Sequence, residues 1–151
     1  MKEIELTNGY KAIIDDENFK LLNQWKWSYH RIGYAIRKSN ILMHRLIMNC
    51  PKNKTIDHIN GNKLDNRKIN LRICSLSENL KNQKLRINNT SGYKGVSFEK
   101  RRNKWRSQIK IGRQVKEIGQ FKTAIQAAMA YDLWAKNIYG EYAKLNFERA
   151  I

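Results

Sequence analysis

The pattern of hydrophobic and polar positions in the first third of the chain predicts short strands and short helices. Residues 2–14 alternate in character around an Asn-Gly pair, which is a strong signal for two strands joined by a tight turn. The acidic start of residues 15–23 favours a short helix. Period-two aromatic and aliphatic positions predict a second hairpin over residues 25–39, and helical spacing predicts a helix over residues 41–48.

The next segment predicts a strand, a turn, a returning strand and a helix. The strands are expected at residues 55–58 and 70–73, with a turn rich in Asn and Gly between them. Ser75 and Glu78 have the spacing of a capping box, which predicts a helix over residues 76–85. Side chains suited to chemistry are concentrated in this unit.

The last third of the chain predicts one small sheet and one long helix. Residues 88–92 have the composition of a linker. Three strands are predicted near residues 93–98, 104–111 and 114–121, followed by a helix over residues 124–139 with small residues that permit close packing. We therefore predict an α+β chain that ends in a three-stranded antiparallel sheet packed on one helix.

Charge narrows the possible partners. The 151 residues include 30 Lys and Arg but only 13 Asp and Glu, a net charge of +17. A cut after residue 88 leaves 17 basic and 8 acidic residues before it, and 13 and 5 after it, hence +9 and +8. Both halves are basic, which predicts a polyanionic partner. Nucleic acid is favoured over an anionic membrane surface, because no basic amphipathic helix stands out.

The remaining composition indicates an intracellular protein. No apolar run approaches the roughly 18 residues that span a bilayer, and the first residues lack the apolar core of a signal peptide. Cys50 and Cys74 are too few for a disulfide framework or a zinc site. We expect a reducing compartment, the cytoplasm or nucleoid, and no secretion.

Four polar residues in the central unit have the chemistry to cut a phosphodiester. Such hydrolysis uses a base, a group that orients it, and a cation that binds phosphate oxygens. His58 can be the base, and the oxygens of Asp57, Asn70 and Asn79 can orient it or bind Mg²⁺. Alternatively, Asp57 and His58 form a surface pair, and Asn in turns serves only the turn itself. We expect that turn role for Asn60, Asn62, Asn66, Asn82, Asn88 and Asn89. A shared site also requires the strand to end here, because adjacent strand residues face opposite sides.

The central unit resembles the active-site segment of HNH homing endonucleases. The resemblance lies in Asp57-His58-Ile59-Asn60-Gly61-Asn62, Asp65-Asn66-Arg67, Asn70-Leu71-Arg72 and Glu78-Asn79. It implies that His58 is the general base and that Asn70 orients it. It further implies that Asp57 and Asn79 hold a divalent metal, Mg²⁺ or alternatively Mn²⁺, in a ββα-metal core over residues 54–85.

Two further points follow from this resemblance. Many members have a second His at the position of Asn79. Asn at this position is also found in the homing branch of the family. The family's products carry 3′-hydroxyl and 5′-phosphate ends. Residues 42–47 resemble the segment that precedes the site, and His44 within it is expected to be packed or to contact phosphate. We expect no functional role for His30.

The C-terminal half resembles an Apetala-type DNA-binding domain, the module of ethylene-response transcription factors, over residues 90–148. The matching residues are Tyr93-Lys94-Gly95-Val96, Lys104-Trp105-Arg106, Ile118-Gly119-Gln120-Phe121, Thr123-Ala124, Ala127-Ala128, Ala130-Tyr131-Asp132 and Leu145-Asn146-Phe147. In that family the sheet lies in the major groove, which admits a β-ribbon.

Alternation along the second predicted strand of this half places basic and polar residues on one face and apolar residues on the other. The predicted DNA-binding residues are Lys94, Arg101, Arg102, Lys104, Arg106, Gln108, Lys110, Arg113 and Lys116. Ser97, Glu99 and Glu117 stand where ethylene-response members use Arg or Trp to read bases, so their target sequence does not transfer.

The sequence therefore predicts a site-directed DNA endonuclease of the homing type that nicks one strand. Residues 1–88 are expected to form a hairpin-rich HNH domain, and residues 89–151 the Apetala-type domain. The partner is double-stranded DNA, no membrane or protein partner is inferred, and a monomer is compatible with the sequence. One alternative is a sequence-specific DNA-binding regulator with a vestigial nuclease site. Another is a sequence-blind architectural protein.

Overall fold

The computed structural model describes residues 1–83, 85 and 87–147. The chain divides into two compact units, Met1–Leu80 and Lys81–Ile151. Together the described residues form a mixed α/β structure with four small sheets and four α-helices. No helix in this described part is long and apolar enough to cross a membrane.

The first unit begins with the hairpin that the sequence predicts. Strands β1 (Lys2–Glu5) and β2 (Lys11–Ile14) pair antiparallel. Asn8 and Gly9 in the turn between them have φ angles of 70° and 75°, a region that Gly enters without strain and Asn tolerates. Helix α1 (Asp16–Leu22) follows, which confirms the short acidic helix.

A three-stranded sheet comes next. It consists of β3 (Ser28–Tyr29), β4 (Ala35–Arg37) and β5 (Ile41–Leu42), and α2 (Met43–Ile47) follows directly. The second hairpin is confirmed, but the prediction of a helix from residue 41 is wrong by two residues. Positive φ angles at residues 39 and 40 reverse the chain, so the following two residues pair with β4 before the helix begins.

These elements enclose one apolar core. Its buried members are Ile4, Leu6, Ala12, Ile14, Leu22, Trp27, Ala35 and Met43. The indole Nε1 of Trp27 donates a hydrogen bond of 2.9 Å to the carbonyl of Leu22, so the buried ring keeps its polar atom satisfied. Because Ala35 and Met43 are core residues, their sequence neighbours Tyr34 and His44 are held in fixed positions at its edge.

The strand, strand and helix predicted in the central segment are present. Strand β6 (Thr55–His58) pairs antiparallel with β7 (Leu71–Cys74), and α3 (Leu76–Asn79) follows. Ser75 accepts a hydrogen bond from the backbone of Glu78, whose carboxylate accepts one from the backbone of Ser75. The predicted capping box is therefore confirmed.

The predicted length of this helix is wrong, since α3 gives way to a 3₁₀ turn over Leu80–Asn82. Residue 84, near the end of the predicted helix, lies outside the described residues. The Nζ of Lys94 donates hydrogen bonds to the carbonyls of Lys81 at 2.6 Å and Gln83 at 2.9 Å in this segment. Leu76 in α3 and Leu80 directly after it are exposed, so they supply little of the burial that stabilises short helices.

The second unit is a three-stranded antiparallel sheet packed on one helix, as predicted. Its strands are β8 (Val96–Glu99), β9 (Lys104–Ile111) and β10 (Gln114–Phe121), with β9 in the centre. Helix α4 (Ala124–Tyr139) buries Ala127, Ala128, Tyr131 and Ala135 against this sheet. The pairing of β10 with β9 shifts register between Glu117 and Gly119, so side chains before and after this bulge do not follow one alternation.

The predicted first strand of this sheet begins three residues too early. Gly95 has a φ of 75°, and a Cβ there would lie 2.1 Å from the ring of Tyr131. The chain therefore turns at Gly95 before β8 begins. Asn146 ties the C-terminal segment to this turn, because its side chain accepts from the backbone of Lys94 at 2.6 Å while its backbone donates to Asp132.

Candidate functional site

His58 lies at the last position of β6 and is 5% exposed. Its Nε2 is 3.4 Å from Oδ1 of Asn66, and its ring packs at 5.1 Å from His44 and 5.8 Å from Tyr34. Burial lowers the pKa of His58, while the hydrogen bond to Asn66 and the charge of Asp57 act in the opposite direction. The imidazole is therefore neutral at pH 7 and able to accept a proton.

Asp57 is 4% exposed and forms an ion pair with its cross-strand partner Arg72. The Nη2 of Arg72 lies 2.6 Å and its Nε 2.8 Å from Oδ2 of Asp57. This pair compensates the buried carboxylate charge, which would otherwise be costly. Asp57 and His58 thus have different immediate surroundings, as adjacent residues of a strand do, although the charge of Asp57 acts on His58.

The side chain of Asn70 stabilises the turn between β6 and β7. Its Oδ1 accepts from the backbone of Asn60 at 3.0 Å, and its Nδ2 donates to the carbonyl of Asp65 at 2.8 Å. The structure does not show the predicted contact between Asn70 and His58. Asn66 makes that contact, and the sequence pattern assigned Asn66 only to turn chemistry.

The carboxylate of Asp65 stabilises the same turn. Asp65 is buried and binds Arg67 through two contacts of 2.7 and 2.6 Å, and it also accepts from the side chain of Asn60 at 2.9 Å. The hydrogen bonds from Arg67 are the main reason why the pKa of Asp65 is lowered. The turn is therefore held by a connected polar network that can fix the site geometry.

His44, in α2, closes the site from the other side. Its ring lies 4.9 Å from Tyr34 and edge-on to His58. Its Nδ1 is buried and has no hydrogen-bond partner among the described residues. Burial first, and then the charges of His58 and Arg45, lowers the pKa of His44 to about 3, so it stays neutral. The structure thus places His44 in packing contact with His58.

Asp57 and Asn79 are the residues that the sequence predicts as metal ligands. Asn79 is the last residue of α3, and its backbone donates to Ser75. Within the described residues, no three His, Cys, Asp or Glu side chains come together as they would around a metal ion. The Asp57 carboxylate and the Asn79 amide are hard oxygen donors of the kind that Mg²⁺ accepts, with water and substrate phosphate supplying the other ligands.

The open face of the C-terminal sheet brings together most of the predicted DNA-binding strand residues. Along β9, Trp105, Ser107 and Ile109 lie on the helix side, so the alternate positions lie on the open side. The open positions are Lys104, Arg106, Gln108 and Lys110, with Ser97, Glu99, Glu117 and Gln120 as their cross-strand neighbours. The Nε of Arg106 is buried and has no hydrogen-bond partner in the described part of the chain.

Other predicted DNA-binding residues lie elsewhere. Arg101 and Arg102 are exposed in the turn before β9, and Arg113 is exposed in the turn after it. The structure does not place Lys94 on the open face, because its ammonium binds backbone carbonyls and burial lowers its pKa to about 8. Lys116 pairs with Ile109 and lies over the ring of Trp134 at 4.6 Å, on the helix side.

Comparison with known families matches the two parts of the chain separately. The HNH endonuclease family matches residues 43–81, which contain α2, β6, β7 and α3. The AP2 domain family matches residues 91–141, which contain the sheet and all of α4. The chain belongs to the HNH endonuclease family and carries an AP2 domain, so it is a nuclease-family protein whose partner is DNA.

The chain is also similar to individual proteins. The chain is 30% identical over 146 residues to the "Uncharacterized HNH endonuclease L560" of Acanthamoeba polyphaga mimivirus, covering 91% of this chain and 75% of that protein. It is 46% identical over 59 residues to "Protein 3.8" of Escherichia phage T7, 39% of this chain and 49% of that protein. It is 41% identical over 61 residues to the "Ethylene-responsive transcription factor ERF024" of Arabidopsis thaliana, 39% of this chain and 33% of that protein. No solved structure matches the chain.

Proposed function

We propose that this protein is a metal-dependent DNA endonuclease of the homing type, in which His58 is the general base. The observation that carries this proposal is a buried, neutral imidazole beside a carboxylate at the end of β6, within the segment that matches the HNH family. Residues 1–88 would cut and residues 89–151 would bind duplex DNA. One site in each chain favours a nick over a double-strand break.

The chemistry follows from the neutral imidazole. His58 accepts a proton from water, whose oxygen attacks the phosphorus, and the bond from phosphorus to the 3′ oxygen breaks. The 3′ oxygen takes up a proton from solvent, which leaves 3′-hydroxyl and 5′-phosphate ends. Asp57 and Asn79 would hold a divalent cation, Mg²⁺ or Mn²⁺, which when bound stabilises charge on the phosphate and leaving oxygens.

DNA binding by the C-terminal sheet is supported by its open face. Arg106 presents a buried Nε that has no partner in the described residues, and Gln108 and Lys110 follow on the same face. Arg and Lys suit guanine and Gln suits adenine in the major groove. Glu99 and Glu117 add acceptors that suit the amino group of cytosine, so we expect a target different from that of basic ethylene-response sheets.

A second candidate is a sequence-specific DNA-binding regulator with a vestigial nuclease site. Two features favour it: the AP2 domain, and the ion pair that already neutralises Asp57. The test is incubation of the full chain with supercoiled plasmid that carries the DNA surrounding its gene, with Mg²⁺ or with EDTA. Conversion to the relaxed circle only with Mg²⁺ supports the nuclease. Tight, sequence-selective binding without any cleavage in Mg²⁺ or Mn²⁺ supports the regulator.

A further inference from the structure

Lys63 lies in the turn between β6 and β7, at the edge of the candidate site. Its Nζ donates a hydrogen bond of 2.9 Å to the carbonyl of Ile32 and lies 4.7 Å from the ring centre of Tyr34. The same ring packs at 5.8 Å from the imidazole of His58, and the charge of Lys63 acts on His58. The ammonium of Lys63 therefore contacts a ring that itself contacts the proposed base.

The turn between β3 and β4 holds the side chain of Lys63 in this position. A Cβ at Gly33 would lie 3.2 Å from Cδ of Lys63, so the aliphatic stem lies directly over the glycine. The ammonium then reaches the carbonyl of Ile32, and the face of the Tyr34 ring attracts its charge. A lysine side chain loses much rotamer freedom when it is ordered. These contacts offset part of that cost before any substrate binds.

The charge of Lys63 has no carboxylate partner among the described residues. Two other cations of this region differ in that respect. Arg72 forms its ion pair with Asp57. Arg67 forms one with Asp65. An ammonium has three N–H groups, and the one that binds the backbone carbonyl leaves two that can donate to an anion.

We propose that Lys63 binds a non-bridging oxygen of the phosphate that is cut and stabilises the negative charge on it during hydrolysis, an inference that rests on the proposed function. Phosphoryl transfer depends mainly on positioning and on charge stabilisation. His58 is neutral and Asp57 is an anion, so neither attracts the phosphate. A cation that is already in place needs no reorganisation when the charge develops.

The first experiment measures binding of the full-length chain, in EDTA, to a duplex from the DNA surrounding its gene over a series of salt concentrations. Each lysine contact to a phosphate contributes about 0.9 to the salt slope, so Lys63→Gln should reduce the slope by about that amount and Lys63→Arg should preserve it. Lys20→Gln, the same loss of charge on α1 with its acidic first turn, is the matched control and should keep the full slope. A slope unchanged in Lys63→Gln overturns the inference whether or not the chain cuts DNA.

The second experiment identifies the phosphate. Once the nick made by the unsubstituted chain is mapped, duplexes are prepared with one uncharged methylphosphonate, at the cut or at a neighbouring phosphate, and binding is again measured in EDTA. The methylphosphonate at the cut should weaken binding of the unsubstituted chain but have little effect on Lys63→Gln, because the two changes remove the same contact. Coupling to another phosphate instead of the one that is cut would overturn the inference.

Kinetics test the contribution to the reaction. Lys63→Gln should lower kcat for nicking by about 100-fold, the lower end for removal of one donor to a developing negative charge, because Lys63 is exposed to solvent. Lys63→Arg should retain most of the activity, and Lys20→Gln all of it. An unchanged kcat in Lys63→Gln contradicts the catalytic role of Lys63. A salt slope that depends on Lys63 in a chain that never cuts DNA supports the phosphate contact and contradicts the proposed function.

Discussion

Substitution of Gly95 tests how the C-terminal sheet is assembled. In Gly95→Ala, the backbone stays at a φ of 75°, which costs a residue with a Cβ about 1–2 kcal/mol. The new Cβ would lie 2.1 Å from Cδ2 of Tyr131 and 2.7 Å from the carbonyl oxygen of Gln108. Overpacking of this kind typically costs about 1–3 kcal/mol more. We therefore expect the free energy of unfolding of this unit to fall by about 2–5 kcal/mol.

Gly92→Ala is the matched control, because Gly92 has the same φ of 75° and a Cβ there would have no atom within 4 Å. It should show the backbone cost alone, about 1–2 kcal/mol. Urea unfolding followed by amide NMR, which resolves the two units, measures both variants. Gly95→Ala should also weaken DNA binding, because Gly95 accepts a hydrogen bond from the backbone of Gln108 on the open face. Equal destabilisation by the two substitutions would refute the packing explanation.

Three other predictions concern charge. The pKa of His44 is lowered to about 3, so between pH 6.5 and about 3 the unfolded chain binds a proton that the folded chain does not. The free energy of unfolding should therefore fall by about 1.4 kcal/mol for each unit by which the pH is lowered through this range. His44→Gln should flatten that slope in urea titrations. Arg72→Met removes the ion-pair partner of the buried Asp57 and should cost about 3–5 kcal/mol, and added Mg²⁺ should restore stability unless Asp57→Asn is also present. In salt-controlled binding assays, Arg106→Ala should weaken DNA binding by about 1–3 kcal/mol and relax base choice, whereas Lys116→Ala should not change base choice.

Local signals in the sequence were sufficient to predict most elements of the fold. The Asn-Gly turn, the Ser75 capping box and the small residues of α4 each act within a few positions, so pattern alone predicts them. The extent of α3 could not be predicted in this way. The chain leaves the helix where Lys94, which is distant in sequence, donates hydrogen bonds to the carbonyls of Lys81 and Gln83, a contact that local patterns do not reveal.

The residue types of the candidate site could be predicted from the sequence, but the side chain that contacts His58 could not. Asp57 and His58 can be singled out from the sequence, whereas the choice between Asn66 and Asn70 depends on how the turn folds and which amide is used to hold it. Similarly, strict alternation does not predict the helix-side position of Lys116, because the bulge after Glu117 changes the register of β10.

The central claim is that His58 is the base of a DNA-cutting site, and cleavage by His58→Ala tests it most directly. Nicking of plasmid in Mg²⁺ and DNA affinity are measured on the same preparations. His30→Ala, which replaces a histidine outside the site, is the control. We expect His58→Ala to lose about 10²- to 10⁴-fold in nicking rate with DNA affinity nearly unchanged, and His30→Ala to cut normally. Nicking by His58→Ala at the rate of the unsubstituted chain would contradict the account.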